Sequence, residues 1–101
     1  MKNHHPKKER TFQVLDDPGH AWVKVHKAFL RQIIGKDWRK VFTPFSYERN
    51  DYVYLEEDDD VPRFKNWCAA NGIKVVLRPP TSKCIRSSRI RTYSRLQPIG
   101  D

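Results

Sequence analysis

Turn-forming residues interrupt the apolar pattern of this chain at short intervals, and that punctuation limits what it can fold into. Asp16-Asp17-Pro18-Gly19, Gly35, a turn within Glu48–Asp51, Asn71-Gly72 and Pro79-Pro80 mark the breaks. Proline presets one turn dihedral, glycine accepts a positive φ, and Asn50 is the best non-glycine candidate for a left-handed residue. Only short strands and short helices fit between such points.

The segments between the breaks declare their type by period. Thr11–Leu15 is expected to be a short strand, and AWVKV, residues 21–25, alternates and is rich in β-formers. From His26 the period changes: Val25, Phe29, Leu30, Ile33 and Ile34 recur at helical spacing, and Gly35 stands where a left-handed C-cap belongs. Lys27, Arg31 and Lys36 fall on the exposed side of that helix, followed by Arg39 and Lys40. FSYERNDYVYLEEDDDVP, residues 45–62, reads as a hairpin, and an even loop puts Phe45, Tyr47, Tyr52 and Tyr54 on one face, with Val53, Leu55 and Ser46 on the other. Asp60 is placed to cap a second helix beginning Val61-Pro62, with Val61, Phe64, Trp67 and Cys68 as its buried stripe. Ile73–Leu77 is a strand that Pro79-Pro80 ends, TSKCIRSSR an exposed loop, and Arg89–Leu96 an edge strand or extended tail.

In order, the central elements run strand, helix, strand, strand, helix, strand. That predicts a small single α+β domain over residues 11–96, an antiparallel sheet with two short helices. The order is that of the split β-α-β of ferredoxin-like folds, with an extra strand at either end. Residues 1–10 lack apolar pattern and are expected to be a disordered basic arm, and residues 97–101 a tail. A chain of 101 residues is long enough for one modest core without metal or disulfide reinforcement. Cys68 and Cys84 form no CxxC pair, so two reduced thiols are expected, with Cys68 buried. No run approaches the roughly 18 apolar residues that span a bilayer, and MKNHHPKKER is too polar for the centre of a secretion signal. A cytoplasmic protein without a membrane partner is the expectation.

Charge separates along the chain, whose net charge is +8. Residues 24–40 carry six basic side chains and one acid, residues 41–72 seven acids and three bases, and residues 73–101 seven bases and one acid. Clustered Lys and Arg gain affinity for polyanions by releasing counterions, so the basic parts suggest a nucleic-acid partner and the acidic middle is expected to face elsewhere. Lys27, Arg31, Lys36, Arg39 and Lys40 are the candidate contacts on the first helix face; Arg86, Arg89, Arg91 and Arg95 are those near the C-terminus. If residues 89–96 form a strand, Arg89, Arg91 and Arg95 share a face; the same residues could instead guard a sheet edge against aggregation.

Glu56, Glu57, Asp58, Asp59 and Asp60 admit three readings: a helix cap with a solvated loop, a surface for a protein partner, or a hard-cation site. Negative charge at a helix start is stabilised by about 0.3–1 kcal/mol, which is cause enough for the first. The alternate acids, central glycine and distant glutamate of a calcium loop are missing, so no metal and no cofactor is expected. The aromatic hairpin face could stack bases or form core; acid beside it would repel phosphate. No serine or cysteine has a nucleophile context, and the four glycines form no phosphate loop, which argues against an enzyme.

DDPGHAWVKV, FSYERNDYVYLEEDDDVPRF and RIRTYSRL together resemble a group of small uncharacterised proteins carried by bacteriophages, plasmids and other bacterial mobile elements. These share a Gly-His-x-Trp segment, an aromatic hairpin ending in Glu-Glu-Asp, and a closing Arg-x-Tyr. This chain departs from many of them in having Asp59 where they have Cys. The resemblance implies a context, a mobile-element accessory protein in a bacterial cytoplasm, and no residue role. The expectation is a non-enzymatic protein that binds nucleic acid, or a nucleic-acid-associated host complex, through its basic surfaces. The alternative is a host-protein inhibitor or adaptor whose interface is Tyr52, Tyr54, Glu56, Glu57 and Asp58.

Overall fold

A computed structural model describes residues 8–17, 19–79 and 90–98. The chain is an α+β domain: a six-stranded, mostly antiparallel sheet with two helices. In chain order the elements are β1 (Lys8–Asp17), β2 (His20–His26), α1 (Lys27–Ile33), a 3-10 turn (Trp38–Val41), β3 (Tyr47–Arg49), β4 (Tyr52–Glu56), α2 (Asp60–Ala70), β5 (Ile73–Arg78) and β6 (Ser94–Arg95). No helix among the described residues is long and apolar enough to cross a membrane.

The strand order is β5-β1-β2-β4-β3-β6. β2 and β3 flank β4, as the split β-α-β pattern requires, and β6 is the expected extra strand at one edge. The other extra strand is not at an edge. β1 lies between β5 and β2, antiparallel to β2 and parallel to β5, so the β4-α2-β5 crossover passes over two strands instead of one. β4 and β5 run parallel, a connection between parallel strands needs a crossover, and α2 supplies it. This pairing also corrects the boundary of the basic arm: Lys8, Glu9 and Arg10 pair with Ile73, Lys74 and Val75, so β1 starts three residues ahead of Thr11. Residues 1–7 and 99–101 of the expected arm and tail lie outside the described residues, as does the loop with Cys84, Arg86 and Arg89.

Local signals place the turns. Asn50 takes φ +54° between Arg49 and Asp51, and Tyr47 pairs with Tyr54 across the hairpin. Gly35 takes φ +115° and donates its amide to Arg31 O at 2.9 Å, the left-handed cap that ends α1. His26 caps the other end of α1, its Nδ1 accepting from the Ala28 amide at 3.0 Å. Asn71 Nδ2 donates to Ile33 O and Trp67 O, tying the C-terminal ends of both helices together.

One face of the sheet holds the main core. Phe12, Val23, Val25, Val53, Leu55 and Ile73 meet Phe29, Leu30 and Ile33 of α1 and Val61, Phe64 and Cys68 of α2. The Phe64 ring stands edge-on to Phe12, with centroids 5.0 Å apart. Trp67, expected in the stripe of α2, is instead 37 % exposed. Cys68 is fully buried, and burial pushes its thiol up to about 11. The opposite face carries a second, smaller cluster of Trp22, Tyr47, Tyr54 and Ile90, with Leu15 and Tyr93 against it. So two of the hairpin rings are core, as one reading of the aromatic face held. Phe45 is not with them: it lies in the turn before β3, 58 % exposed.

From Ile90 onward the C-terminal segment is neither of the two forms read for residues 89–96, a continuous edge strand or an extended tail. Tyr93 N–H bonds Ile90 O at 2.9 Å in a turn, only Ser94 and Arg95 pair with β3, and Leu96 N–H then bonds Ser46 O at 2.9 Å. Ile90 thus packs on the second face and Leu96 in the main core, so the segment wraps the β3 edge and carries apolar residues to both sides. Arg91 and Arg95 still come to one sheet face, over Trp22 and Tyr47.

Candidate functional site

Strand alternation sorts the chemistry of the second face. On β2, Val23 and Val25 enter the main core, which leaves His20, Trp22 and Lys24 on the other side. Pairing then sets Trp22 opposite Glu56, Lys24 opposite Tyr54, and Arg49 opposite Tyr52. Four cations on this face lie over rings. Lys24 Nζ is 4.2 Å from the centre of Tyr52; the guanidinium carbons of Arg49, Arg95 and Arg91 are 5.0, 5.1 and 5.6 Å from Tyr93, Tyr47 and Trp22. All lie within the roughly 6 Å reach of a cation–π contact.

Further bonds hold the two C-terminal arginines. Arg91 Nη2 lies 2.8 Å from His20 Nδ1, and the His20 ring stacks on Trp22 with centroids 6.0 Å apart. Arg95 Nη1 donates to Pro44 O at 3.0 Å. Burial raises the Tyr54 phenol above its usual value, and the neighbouring Tyr93 adds to the rise.

The acidic run divides into three kinds of residue. Glu56 is buried, and its two carboxylate oxygens accept the Asp58 and Asp59 amides at 2.9 and 2.8 Å, which rigidifies the turn ahead of α2. Asp60 does not cap α2 as expected. Fully buried, it accepts from the Thr43 amide and hydroxyl at 3.0 and 2.9 Å, from Ser46 Oγ, and from Arg63 at 3.2 Å. It therefore ties the start of α2 to the segment entering β3. Glu57, Asp58 and Asp59 remain exposed. Among the described residues no three His, Cys, Asp or Glu side chains converge to hold a metal.

The expectation that acid and base face apart does not hold at one place. A cleft of about 330 Å³ is lined by Arg91 and Arg95 together with Asp58 and Asp59, and by the rings of Trp22 and Phe45. The cause is the wrap of the C-terminal segment, which brings its arginines over the face where β4 ends in acid. A wider, open depression of about 840 Å³ lies by the hairpin tip, lined by Arg49, Asn50, Thr92, Tyr93 and Ser94, and shares Arg95 with the cleft.

Several residues expected to bind nucleic acid have other work. Lys27 and Arg39 are buried, against the expectation of an exposed helix face, because Glu48 turns toward the helices and pairs with both. Lys27 Nζ lies 2.8 Å from Glu48 Oε1, and Arg39 donates to both carboxylate oxygens at 2.8 and 3.0 Å. Burial alone would raise that carboxyl; the hydrogen bonds and charges of Arg39 and Lys27 outweigh it and hold it at about 2. Arg31, Lys36 and Lys40 are exposed on the helix side, away from the cation–ring array. Arg91 and Arg95 belong to the array, while Arg86 and Arg89 lie outside the described residues. Of the five residues of the adaptor alternative, Tyr54 and Glu56 are buried, leaving Tyr52, Glu57 and Asp58 accessible.

Lys24, Arg49, Trp22 and His20 are the site residues that reading the sequence missed, while Phe45 was placed on the aromatic hairpin face. A signal was there for two of them: Lys24 is two residues beyond Trp22 and Arg49 two beyond Tyr47, so alternation puts each cation on its aromatic's face. Compared with protein-family models, with curated proteins and with solved structures, the chain matches none.

Proposed function

We propose that the protein binds single-stranded nucleic acid across the sheet face opposite the helices, as a non-enzymatic accessory protein of the mobile-element kind it resembles in sequence. One observation carries this reading: Lys24, Arg49, Arg91 and Arg95 each lie over a ring on that one face. A guanidinium laid on a ring is held in place, so little further ordering is needed when its N–H edge meets a phosphate. Its outer plane can stack a base, as can a half-exposed tyrosine such as Tyr52. The cleft and the open depression share Arg95, which supports a strand path running from one to the other.

Fluorescence anisotropy of a labelled single-stranded oligonucleotide tests this. For a single strand, log K falls with log salt by about 0.7 for each phosphate neutralised, so Lys24→Ser/Arg49→Ser/Arg95→Ser lowers the slope by about 2. Lys36→Ser/Lys40→Ser, on the helix side, leaves it unchanged. An affinity that does not fall between about 50 and about 200 mM salt overturns the reading, as does a triple variant that binds as well as the parent protein.

A further inference from the structure

The cleft between the C-terminal arginines and the end of β4 has a chemistry that binding to phosphate does not explain. A phosphate site needs cations alone, and exposed carboxylates beside it oppose the ligand. Here Asp58 and Asp59 line the same cleft as Arg91 and Arg95. Their backbone is fixed, since Glu56 accepts both amides, so the carboxylates stand on a rigid turn rather than a mobile loop. Phe45 is similarly set: its amide bonds Thr43 Oγ1 at 3.2 Å while its ring is 58 % exposed. The cleft thus joins a large exposed ring on a braced turn to charges of both signs, and its volume of about 330 Å³ is that of a small-ligand site.

Resting on the nucleic-acid reading above, we infer that this cleft takes one unstacked guanine base of the bound strand. Guanine alone among the bases carries two adjacent acceptors, O6 and N7, and two adjacent donors, N1–H and the N2 amino group. Guanidinium groups are donors only and pair with O6 and N7; carboxylates are acceptors only and pair with N1–H and N2–H. Arg95 spends one N–H on Pro44 O and has others to give. Phe45 offers the plane on which the base stacks. Adenine sets a donor beside N7 and an acceptor beside its amino group, so neither pair of atoms suits a guanidinium or a carboxylate alone. Uracil and cytosine offer a carboxylate a single N–H group on that edge.

Anisotropy titrations with an oligouridine carrying one central guanine, adenine, hypoxanthine or 7-deazaguanine test the inference. Guanine is expected to bind about tenfold tighter than adenine, with hypoxanthine, which lacks the N2 amino group, and 7-deazaguanine, which lacks N7, in between. Asp58→Asn/Asp59→Asn is expected to abolish the preference while oligouridine binds as well as before or better, because carboxylates near phosphate have been removed. Both side chains are exposed, so the variant keeps the fold; thermal unfolding checks that. Binding of every oligonucleotide without a guanine preference overturns the inference and spares the nucleic-acid reading. A preference that survives in the double variant also overturns it, and no binding to any oligonucleotide overturns both.

Discussion

Replacing Glu48 with Gln asks whether Lys27 and Arg39 serve the core rather than a ligand. The side chains of Lys27, Arg39 and Glu48 are 11, 7 and 14 % exposed, and the carboxylate has N–O contacts of 2.8 Å to each cation. Held at about 2 against an ordinary 4.5, the folded carboxyl lies below the unfolded one. Its contribution is therefore complete above the unfolded value and is lost as the pH falls through the folded one. At about 1.4 kcal/mol per tenfold change in proton affinity, the drop is worth about 3 kcal/mol. Glutamine keeps the shape and one acceptor but leaves two buried cations uncompensated, and breaking such a pair costs about 3–5 kcal/mol. Both routes converge on a loss of about 3 kcal/mol near neutral pH. With a urea slope of about 1–3 kcal/mol/M, the unfolding midpoint drops by about 1 M or more. As the pH is lowered from about 6 to about 2.5, the parent protein and the variant should approach each other, because the parent carboxylate is being protonated. A loss under about 1 kcal/mol at neutral pH, or a gap that stays constant across that pH range, would refute the reasoning. Oligonucleotide affinity should be unchanged in the variant under conditions where it is folded.

Two other perturbations probe the same framework. Asp60→Ala removes the shared acceptor of Thr43 and Ser46 and leaves buried donors unpaired, so a loss of about 3 kcal/mol is expected in urea unfolding; a loss under about 1 kcal/mol would show that Asp60 is no hub. In a Cys84→Ser background, Cys68 should react with a thiol reagent only as fast as the protein opens, given its full burial and a thiol raised to about 11; prompt labelling of the folded protein would contradict this.

How far the residues announced their places differs by feature. The left-handed Asn50, the Gly35 cap, the end of α2 at Asn71-Gly72 and the shared face of Tyr47, Tyr52 and Tyr54 were all legible, because each depends on neighbours within a few positions, whereas the register, Tyr47 with Tyr52 or with Tyr54, was settled by the structure in favour of Tyr54. Asp60 was legible as a helix-start residue and not as a hub, since its acceptors' partners Thr43 and Ser46 come from the other side of the hairpin. The triad was hidden for a similar reason. Lys27 and Arg39 look exposed when α1 and the 3-10 turn are viewed alone, and only the packing of Glu48 against both removes them from solvent.

The chain's own order of apolar residues and turn formers determined that this is a small α+β domain, because period and turn chemistry act over one or two turns of backbone. Where β1 is inserted, which cations lie on rings, and that Arg95 meets the same cleft as Asp58 were decided only when distant segments packed. Those contacts exchange water for surfaces supplied by residues dozens of positions away, and no local pattern records which surface that will be.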